Sequence, residues 1–196
     1  MSVTKKVILF LLTVALFSSC QNISTIRRPS DDGLMFAMIY DFDNNPINTV
    51  AVYINERRVA ESDIQGRFIL ANMNRGEYAV RLTKRGYETL EGYFHFDPLQ
   101  VLYFRMINTS QLLTHAETAM DRGEFPIAEN YIKRALAIEP NRPDILFLKS
   151  ISYFSQQRYQ EAITVLHGLI RAGNAENAII QLLEMIQKAQ EELYEY

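Results

Sequence analysis

The carboxy-terminal half of this chain repeats itself, and that repeat limits the available folds more than any other feature. Apolar and small residues recur 34 positions apart, first at Leu112 and Leu146. The other matched positions are Ala116 with Ser150, Ala119 with Tyr153, Phe125 with Tyr159, Ala128 with Ala162, Ile132 with Leu166 and Ala135 with Leu169. Within each copy these residues fall at helical spacing, and a fixed period of this length is typical of stacked helical hairpins. The sequence therefore predicts a short α-solenoid after about residue 110.

The same pattern predicts five helices. They span about 110–122, 125–138, 143–156, 159–172 and 176–194. The small side chains of Ala116 and Ser150 allow the paired helices of each hairpin to approach closely. One more step of 34 places Glu184 at that small position, and a glutamate does not fit in a buried slot. The last helix is therefore expected to be a solvent-facing cap and not a third copy.

The period and the residue classes resemble the tetratricopeptide repeat. The resemblance implies a concave groove that receives a helix or an extended segment of a partner. The residues at the matching groove positions are Leu113, Glu117, Met120, Phe147, Ile151 and Phe154, with Met185 added by the cap. The lysine, asparagine and arginine set with which some members of the family hold a carboxylate is missing, so that binding mode is disfavoured.

One stripe within this set has two interpretations. Phe147, Ile151 and Phe154 recur at i, i+4 and i+7, so they lie on one face of their helix. Such a stripe either lines the groove or forms core beneath the cap or the preceding domain. The pattern alone leaves both interpretations open.

Between residues 34 and 107 the apolar residues alternate instead. The alternating sets are Phe36, Met38 and Tyr40; Val50, Val52 and Ile54; and Tyr78, Val80 and Leu82. Alternation with turn signals every 8–12 residues is typical of a small antiparallel β-sandwich. The predicted fold class is therefore α+β in two domains. A small antiparallel β-sandwich at 34–107 is followed at 109–194 by an α-solenoid of two helical hairpins and a capping helix.

Four segments of the alternating region resemble the PEGA and carboxypeptidase regulatory-like families. These segments are Asn48–Asn55, Ser62–Phe68, Gly76–Leu82 and Arg85–Glu88. The resemblance implies a transthyretin-like β-sandwich that is accessory and carries no catalytic residues. Within the second segment, Asp63 is expected to accept backbone N–H bonds in a turn where Gly66 has a positive φ. Glu56 stands where these families usually have a glycine.

The amino terminus has the parts of a secretory signal. Lys5 and Lys6 precede the apolar run 7–17, and small polar residues then lead to Cys20, the single cysteine. The run is shorter than the roughly 20 residues that span a bilayer. Residues 16–20 resemble a bacterial lipobox, which implies a signal peptide at 1–19, lipidation of Cys20 and a flexible tether at 20–33. The alternative is an ordinary cleaved signal followed by an incidental cysteine.

The residue after the cysteine bears on location. Gln21 provides no aspartate-type signal for retention at the inner membrane. The expected location is therefore the bacterial cell envelope, with a lipid anchor on the periplasmic face of the outer membrane.

None of the residue patterns predicts a catalytic, metal-binding or nucleic-acid-binding site. His95, His115 and His167 have no metal-ligand spacing between them. The acidic segment 41–45 lacks the central glycine and the final glutamate of a calcium loop, so we interpret it as a turn. A net charge of −3 provides no electrostatic footprint for nucleic acid. We therefore expect no catalytic residue, no cofactor, no metal and no enzyme activity.

The predicted function is that of a membrane-anchored envelope lipoprotein that acts as a non-catalytic adaptor or scaffold. Its groove is expected to bind another envelope protein or a peptide. The alternative is a lipoprotein that binds glycan or cell-wall polymer. In that case Tyr53, Tyr87 and Tyr93 of the sandwich are expected to be exposed and to stack on sugars. A third hypothesis is a subunit or regulator of an enzyme whose chemistry lies on another chain.

Overall fold

A computed structural model of the chain describes residues 33–194, so the signal segment and Cys20 lie outside the described residues. Within 33–194 the chain forms seven strands and then five helices. The strands are β1 (Met35–Tyr40), β2 (Ala51–Ile54), β3 (Arg57–Glu61), β4 (Arg67–Leu70), β5 (Gly76–Thr83), β6 (Leu90–Phe96) and β7 (Val101–Arg105). The helices are α1 (Thr109–Asp121), α2 (Phe125–Ile138), α3 (Pro143–Ser155), α4 (Tyr159–Arg171) and α5 (Asn177–Tyr194). This order confirms the α+β prediction.

The strands of the described region form two sheets. The smaller sheet has the order β4-β1-β7, and the larger has the order β3-β2-β5-β6. Every pairing is antiparallel except that of β1 with β7, which is parallel. Alternation of apolar residues reports which face a side chain occupies and not the direction of the neighbouring strand, so the sequence did not predict this pairing.

The inner faces of the two sheets form the core of the sandwich. Its fully or almost fully buried side chains are Met35, Ala37, Ile39, Ile47, Val50, Val52, Ile54, Phe68, Leu70, Val80, Leu82, Phe94, Phe96 and Met106. On β1 the buried residues are the odd-numbered ones, whereas Phe36 is exposed and Met38 is half-buried. The outer face of β1 is therefore the face that carries its largest apolar residue.

The turn before β4 has the predicted geometry. Asp63 Oδ1 accepts the backbone N–H groups of Gln65 (2.8 Å) and Arg67 (2.9 Å). Gly66 has a φ of +72°, and a Cβ at this position would collide with the carbonyl oxygen of Ile39. Only glycine therefore fits this position, for both conformational and steric reasons. The hydrogen bond from the Arg67 backbone N–H is the main cause that lowers the pKa of Asp63.

The hairpin between β2 and β3 contains Glu56, at the position where the resembled families usually have a glycine. Asn55 and Glu56 have φ values of +46° and +64°, which place both in the left-handed region. Two such residues in succession are typical of the two-residue hairpin turn that matches strand twist. Glu56 lies in a conformation that costs a non-glycine residue about 1–2 kcal/mol. Its carboxylate contacts Arg81 Nη2 of β5 at 2.7 Å.

The helical region starts with a reciprocal cap. The Asn108 side chain accepts the N–H of Gln111 at 2.8 Å, while the Gln111 side chain accepts the N–H of Asn108 at 3.2 Å. This capping box satisfies two of the amide groups that the first turn of α1 leaves unpaired. The predicted bounds of all five helices agree with the observed bounds to within one residue.

The helices stack in sequence, each against the next, and α1 also contacts α3. Ala116 and Ser150, the small residues of the repeat, are completely buried. Ser150 satisfies its hydroxyl by donating to the carbonyl oxygen of Phe147 at 2.6 Å. Glu184 on α5 is exposed, in agreement with the prediction that the last helix is not a third copy. Among the described helices, none combines the length and the apolar character that crossing a bilayer requires.

The sandwich and the first hairpin meet at a polar junction. Arg134 of α2 donates to both carboxylate oxygens of Glu88, at 2.9 and 2.6 Å. Gln111 Nε2 donates to Asp43 Oδ2 at 2.5 Å, and Tyr87 pairs with Asn108 through a single β-bridge. These contacts connect the sandwich to both helices of the first hairpin.

Candidate protein-binding surfaces

The residues predicted to line the groove lie on three helices. They are Leu113, Glu117 and Met120 on α1, Phe147, Ile151 and Phe154 on α3, and Met185 on α5. Since α1 contacts α3, the first two groups are on neighbouring helices. Glu117 and Met185 are exposed, and the other five residues are half-buried.

The aromatic residues of the α3 stripe belong partly to the core and partly to the surface. Phe147 and Phe154 are half-buried and pack against the cluster formed by α4 and α5. The Phe154 ring centroid lies 6.0 Å from that of Tyr159. Each ring therefore stabilises the helix stack with one side and presents the other side at the surface. Partner binding at this stripe stays a prediction.

A cleft between α2 and α3 lies outside the predicted set. It has a volume of about 500 Å³. Its lining residues are Pro126, Glu129, Asn130, Ile132, Lys133 and Leu136 of α2, with Lys149, Ser152 and Tyr153 of α3. The two helices belong to different hairpins, so comparison of one repeat with the other gave no signal for it. Its apolar floor and polar rim are typical of a surface that accepts a side chain of another molecule.

One arginine, in the loop between α3 and α4, lies beside the rim of this cleft. Arg158 contacts Glu129 at 2.5 Å and Glu161 at 2.6 Å. Its guanidinium also lies 4.2 Å from the centre of the Tyr153 ring, and Lys149 Nζ lies 5.6 Å from the same ring. The hydrogen bond from Arg158 lowers the pKa of Glu161. Because Arg158 occupies the nearby carboxylates, the ammonium groups of Lys149 and Lys133 give the rim its positive charge.

The three tyrosines proposed to stack on sugars are not equivalent, and the prediction that all three are exposed is wrong. Tyr53 and Tyr87 are half-buried. Arg81 covers the Tyr53 ring at 4.1 Å, and Lys84 lies 6.0 Å from the Tyr87 ring. Only Tyr93, which is 77% exposed, presents an open ring among these three. The side chains that cover the other rings belong to β5 and the loop after it, which sequence alternation did not reveal.

The histidines lie on separate elements. His95 is on β6, His115 on α1 and His167 on α4, and all three are exposed. The His115 ring stacks on Tyr131 at 5.3 Å and meets Phe42 at 6.4 Å, so it belongs to the junction between sandwich and helices. Across residues 33–194, no three histidine, cysteine, aspartate or glutamate side chains converge as metal ligands do.

Part of the helical segment is similar to a known repeat family. Residues 119–191 match a tetratricopeptide repeat model. The matched segment runs from the end of α1 into α5, so it contains the second hairpin and most of the cap. Tetratricopeptide repeats stack into superhelices whose concave surfaces bind proteins, and they are generally non-catalytic. The helical part of this chain therefore has the architecture of a protein-binding module.

The other comparisons add little. A crystal structure of 3-chlorocatechol 1,2-dioxygenase from Rhodococcus opacus 1CP is similar at 11% identity with a TM-score of 0.30. The similarity covers 41% of this chain and 62% of that chain, and at this level it carries no argument about function. No curated protein sequence matches the chain.

Proposed function

We propose that this protein is a lipid-anchored adaptor of the bacterial cell envelope, and that its helical stack binds another envelope protein or peptide. The observation that carries the proposal is the tetratricopeptide match over residues 119–191, on helices that stack as consecutive hairpins. A solenoid of this kind binds through the shape of its surface and through apolar contacts. The likeness of the sandwich to PEGA and carboxypeptidase regulatory-like domains stays a prediction.

The proposed groove combines apolar and acidic side chains. Phe147, Ile151 and Phe154 supply half-buried apolar surface on α3, while Glu117 of α1 adds an exposed carboxylate. Half-buried aromatic residues in such a groove are the kind that dominate binding energy at interfaces. An amphipathic helix or an extended segment with apolar anchors and a basic flank fits this chemistry.

The adaptor is tested by photo-cross-linking in intact cells. A photoreactive amino acid replaces Met185, which is 55% exposed within the predicted groove, or Ile127, which is 48% exposed on α2 outside it. We expect a discrete cross-linked partner from position 185 and none from position 127. Equal yields at both positions, or none at either, would contradict the groove.

The purified partner then provides a quantitative test. Met185→Asp places a charge among the apolar anchors and should weaken binding by about tenfold, equivalent to about 1.4 kcal/mol. Ile127→Asp is the matched control and should leave the affinity unchanged. We avoid substitutions of Phe147 or Phe154 for this purpose, because both side chains also pack on the core of α4 and α5.

The lipid anchor is tested separately. Cys20 lies outside the described residues, and its lipidation is supported by the lipobox resemblance of residues 16–20. Cells that express the chain should incorporate labelled palmitate into it, and Cys20→Ser should abolish the label. A mature protein with a free thiol at Cys20 would contradict the anchor.

A second candidate function rests on Tyr93. This ring is open on the outer face of the larger sheet, next to Glu91 and His95 on the same strand. Aromatic rings beside polar groups are suited to stacking on sugars. Sedimentation of the full chain with purified cell wall, with Tyr93→Ala as the variant, distinguishes glycan binding from the adaptor function.

A further inference from the structure

The outer face of the smaller sheet is the most apolar strand surface in the described part of the sandwich. We call it the outer sheet face. Its residues are Phe36, Met38 and Tyr40 of β1, Arg67 and Ile69 of β4, and Val101, Tyr103 and Arg105 of β7. Phe36, Ile69 and Val101 are each about half exposed, and Tyr103 is 68% exposed. Contiguous exposed apolar surface of this kind marks an interaction site on a soluble domain.

Strand register orders these side chains into rows. Phe36 lies between Ile69 and Val101, which gives one row that is wholly apolar. The next row contains Arg67 and Tyr103 on either side of Met38.

The two ends of the outer sheet face differ in polarity. Beyond Met38, Tyr40 pairs with Arg105, so this end of the face is polar. At the opposite end, Leu34 directly precedes β1 and Leu99 lies two residues before β7, and both are exposed. The face therefore changes along its length from leucine and phenylalanine to tyrosine and arginine.

The outer face of the larger sheet has a different character. Its central ring, Tyr53, is covered by Arg81, and the same face carries the exposed carboxylates of Glu77 and Glu91. The two outer surfaces of one sandwich thus differ in polarity. A sandwich needs only its inner faces to be apolar, so the stability of the domain does not explain the outer sheet face.

The apolar end of the face is also the end at which the chain enters the sheet. Leu34 follows the polar segment 21–33, which connects the sheet to Cys20. Fourteen residue steps span at most about 50 Å, so a lipid on Cys20 keeps the apolar row close to the bilayer. Close tethering raises the effective concentration of a weak contact surface at the membrane.

We propose that the outer sheet face rests on the surface of the lipid bilayer into which the Cys20 acyl chains insert. The proposal depends on the lipid anchor proposed above. The leucines, Phe36, Ile69 and Val101 enter the boundary between headgroups and acyl chains, where interfacial proteins bury apolar residues. Tyr103 then lies at the level of the headgroups, which suits its amphipathic ring. Arg67, which is paired with Asp63, and Arg105, which donates to Asn44 Oδ1, lie beyond the apolar row at the level of the phosphate groups.

The experiment places a fluorescent reporter on each sheet of the full, lipidated chain. Acylation blocks the thiol of Cys20, so a single introduced cysteine reacts with an environment-sensitive maleimide dye. The reporter positions are Tyr103→Cys and Leu99→Cys on the smaller sheet side, and Tyr93→Cys as the matched exposed position on the larger sheet. The proteins are reconstituted in vesicles of phosphatidylethanolamine and phosphatidylglycerol that contain nitroxide-labelled lipids.

We expect several-fold stronger nitroxide quenching at positions 103 and 99 than at position 93, together with a blue-shifted emission. If the dyes at all three positions are equally exposed to water while the chain still floats with the vesicles, the membrane contact is overturned and the anchor stays intact. A chain that does not float, and whose Cys20 takes up the dye, would overturn both proposals. Disulfide cross-linking between two copies of the Tyr103→Cys variant would assign the face to a second copy and also overturn the membrane contact.

Discussion

Backbone conformation at single residues determines much of the turn geometry of the sandwich. Gly66 is required by a positive φ and by the nearby carbonyl oxygen of Ile39. Gly86 has a similar φ of +79°, but among the described residues no atom other than those of its chain neighbours lies within 4 Å of a potential Cβ. These two glycines therefore separate the conformational cost of a left-handed residue from the cost of a steric collision.

Replacement of these glycines gives a paired prediction. Gly86→Ala should lower the free energy of unfolding by about 1–2 kcal/mol, the cost of a left-handed residue. Gly66→Ala should cost clearly more, because the backbone of β1 must also move away from the new methyl group. Chemical denaturation of both variants checks the order, and a smaller loss for Gly66→Ala than for Gly86→Ala would contradict it.

At the scale of elements, α3 shows how one helix serves two surfaces. Phe147 and Phe154 face the cluster of α4 and α5, Lys149 and Ser152 line the cleft towards α2, and Tyr153 contacts both. The two faces alternate at helical spacing, so apolar side chains occur on more than one face of α3. This arrangement explains why the sequence alone did not assign the Phe147, Ile151 and Phe154 stripe to either the groove or the core.

The start of α1 gives a prediction at the same scale. Asn108→Ala removes the side-chain oxygen that accepts the Gln111 N–H, so we expect a loss of about 1 kcal/mol of stability. Glu124 precedes α2, and its side chain makes no cap hydrogen bond to the described residues. Glu124→Ala is therefore the control, and its thermal midpoint should stay close to that of the unmodified protein. Equal effects of the two substitutions would contradict a capping role for Asn108.

At the scale of the whole molecule, the junction between the two domains is held by side chains distant in sequence. The bidentate contact of Arg134 with Glu88 joins α2 to the loop before β6. The hydrogen bond and charge of Arg134 lower the pKa of Glu88 in the folded chain. The carboxylate form therefore stabilises the folded state above the unfolded pKa of about 4.5, and this contribution is lost as pH falls through the lowered folded pKa.

This linkage predicts a pH-dependent difference between variants. Glu88→Gln should destabilise the protein by about 1 kcal/mol at neutral pH, since the pair is partly exposed. The difference should shrink as the pH falls from about 4.5 through the lowered folded pKa, because the unmodified carboxyl is then protonated first in the unfolded and finally in the folded state. Urea midpoints from pH 7 to pH 3 measure this difference. Glu184→Gln removes an exposed carboxylate away from the junction and controls for net charge. A difference that stays constant with pH would contradict the contribution of the ion pair.

The sequence determined the local features of this protein. Helical periodicity and the 34-residue repeat specified five helices and their bounds, and alternation specified the strands of an α+β fold. The chemistry of aspartate and glycine specified the turn from Asp63 to Gly66. These properties depend on residues close together in the chain, whose spacing directly reflects backbone geometry. The position of Glu184 also identified the cap correctly, because a small buried site excludes a long charged side chain.

Only the tertiary structure decided which surfaces lie side by side. The parallel pairing of β1 with β7 places Phe36 beside Val101, residues far apart in sequence. The cover of Arg81 on Tyr53 and the cleft between α2 and α3 also arise from such distant neighbours. Strand direction and side-chain cover depend on long-range packing, to which a one-dimensional pattern of apolar residues is insensitive. The two surfaces on which our proposals rest therefore differ in origin: the groove follows from the repeat, and the outer sheet face from the assembled sheet.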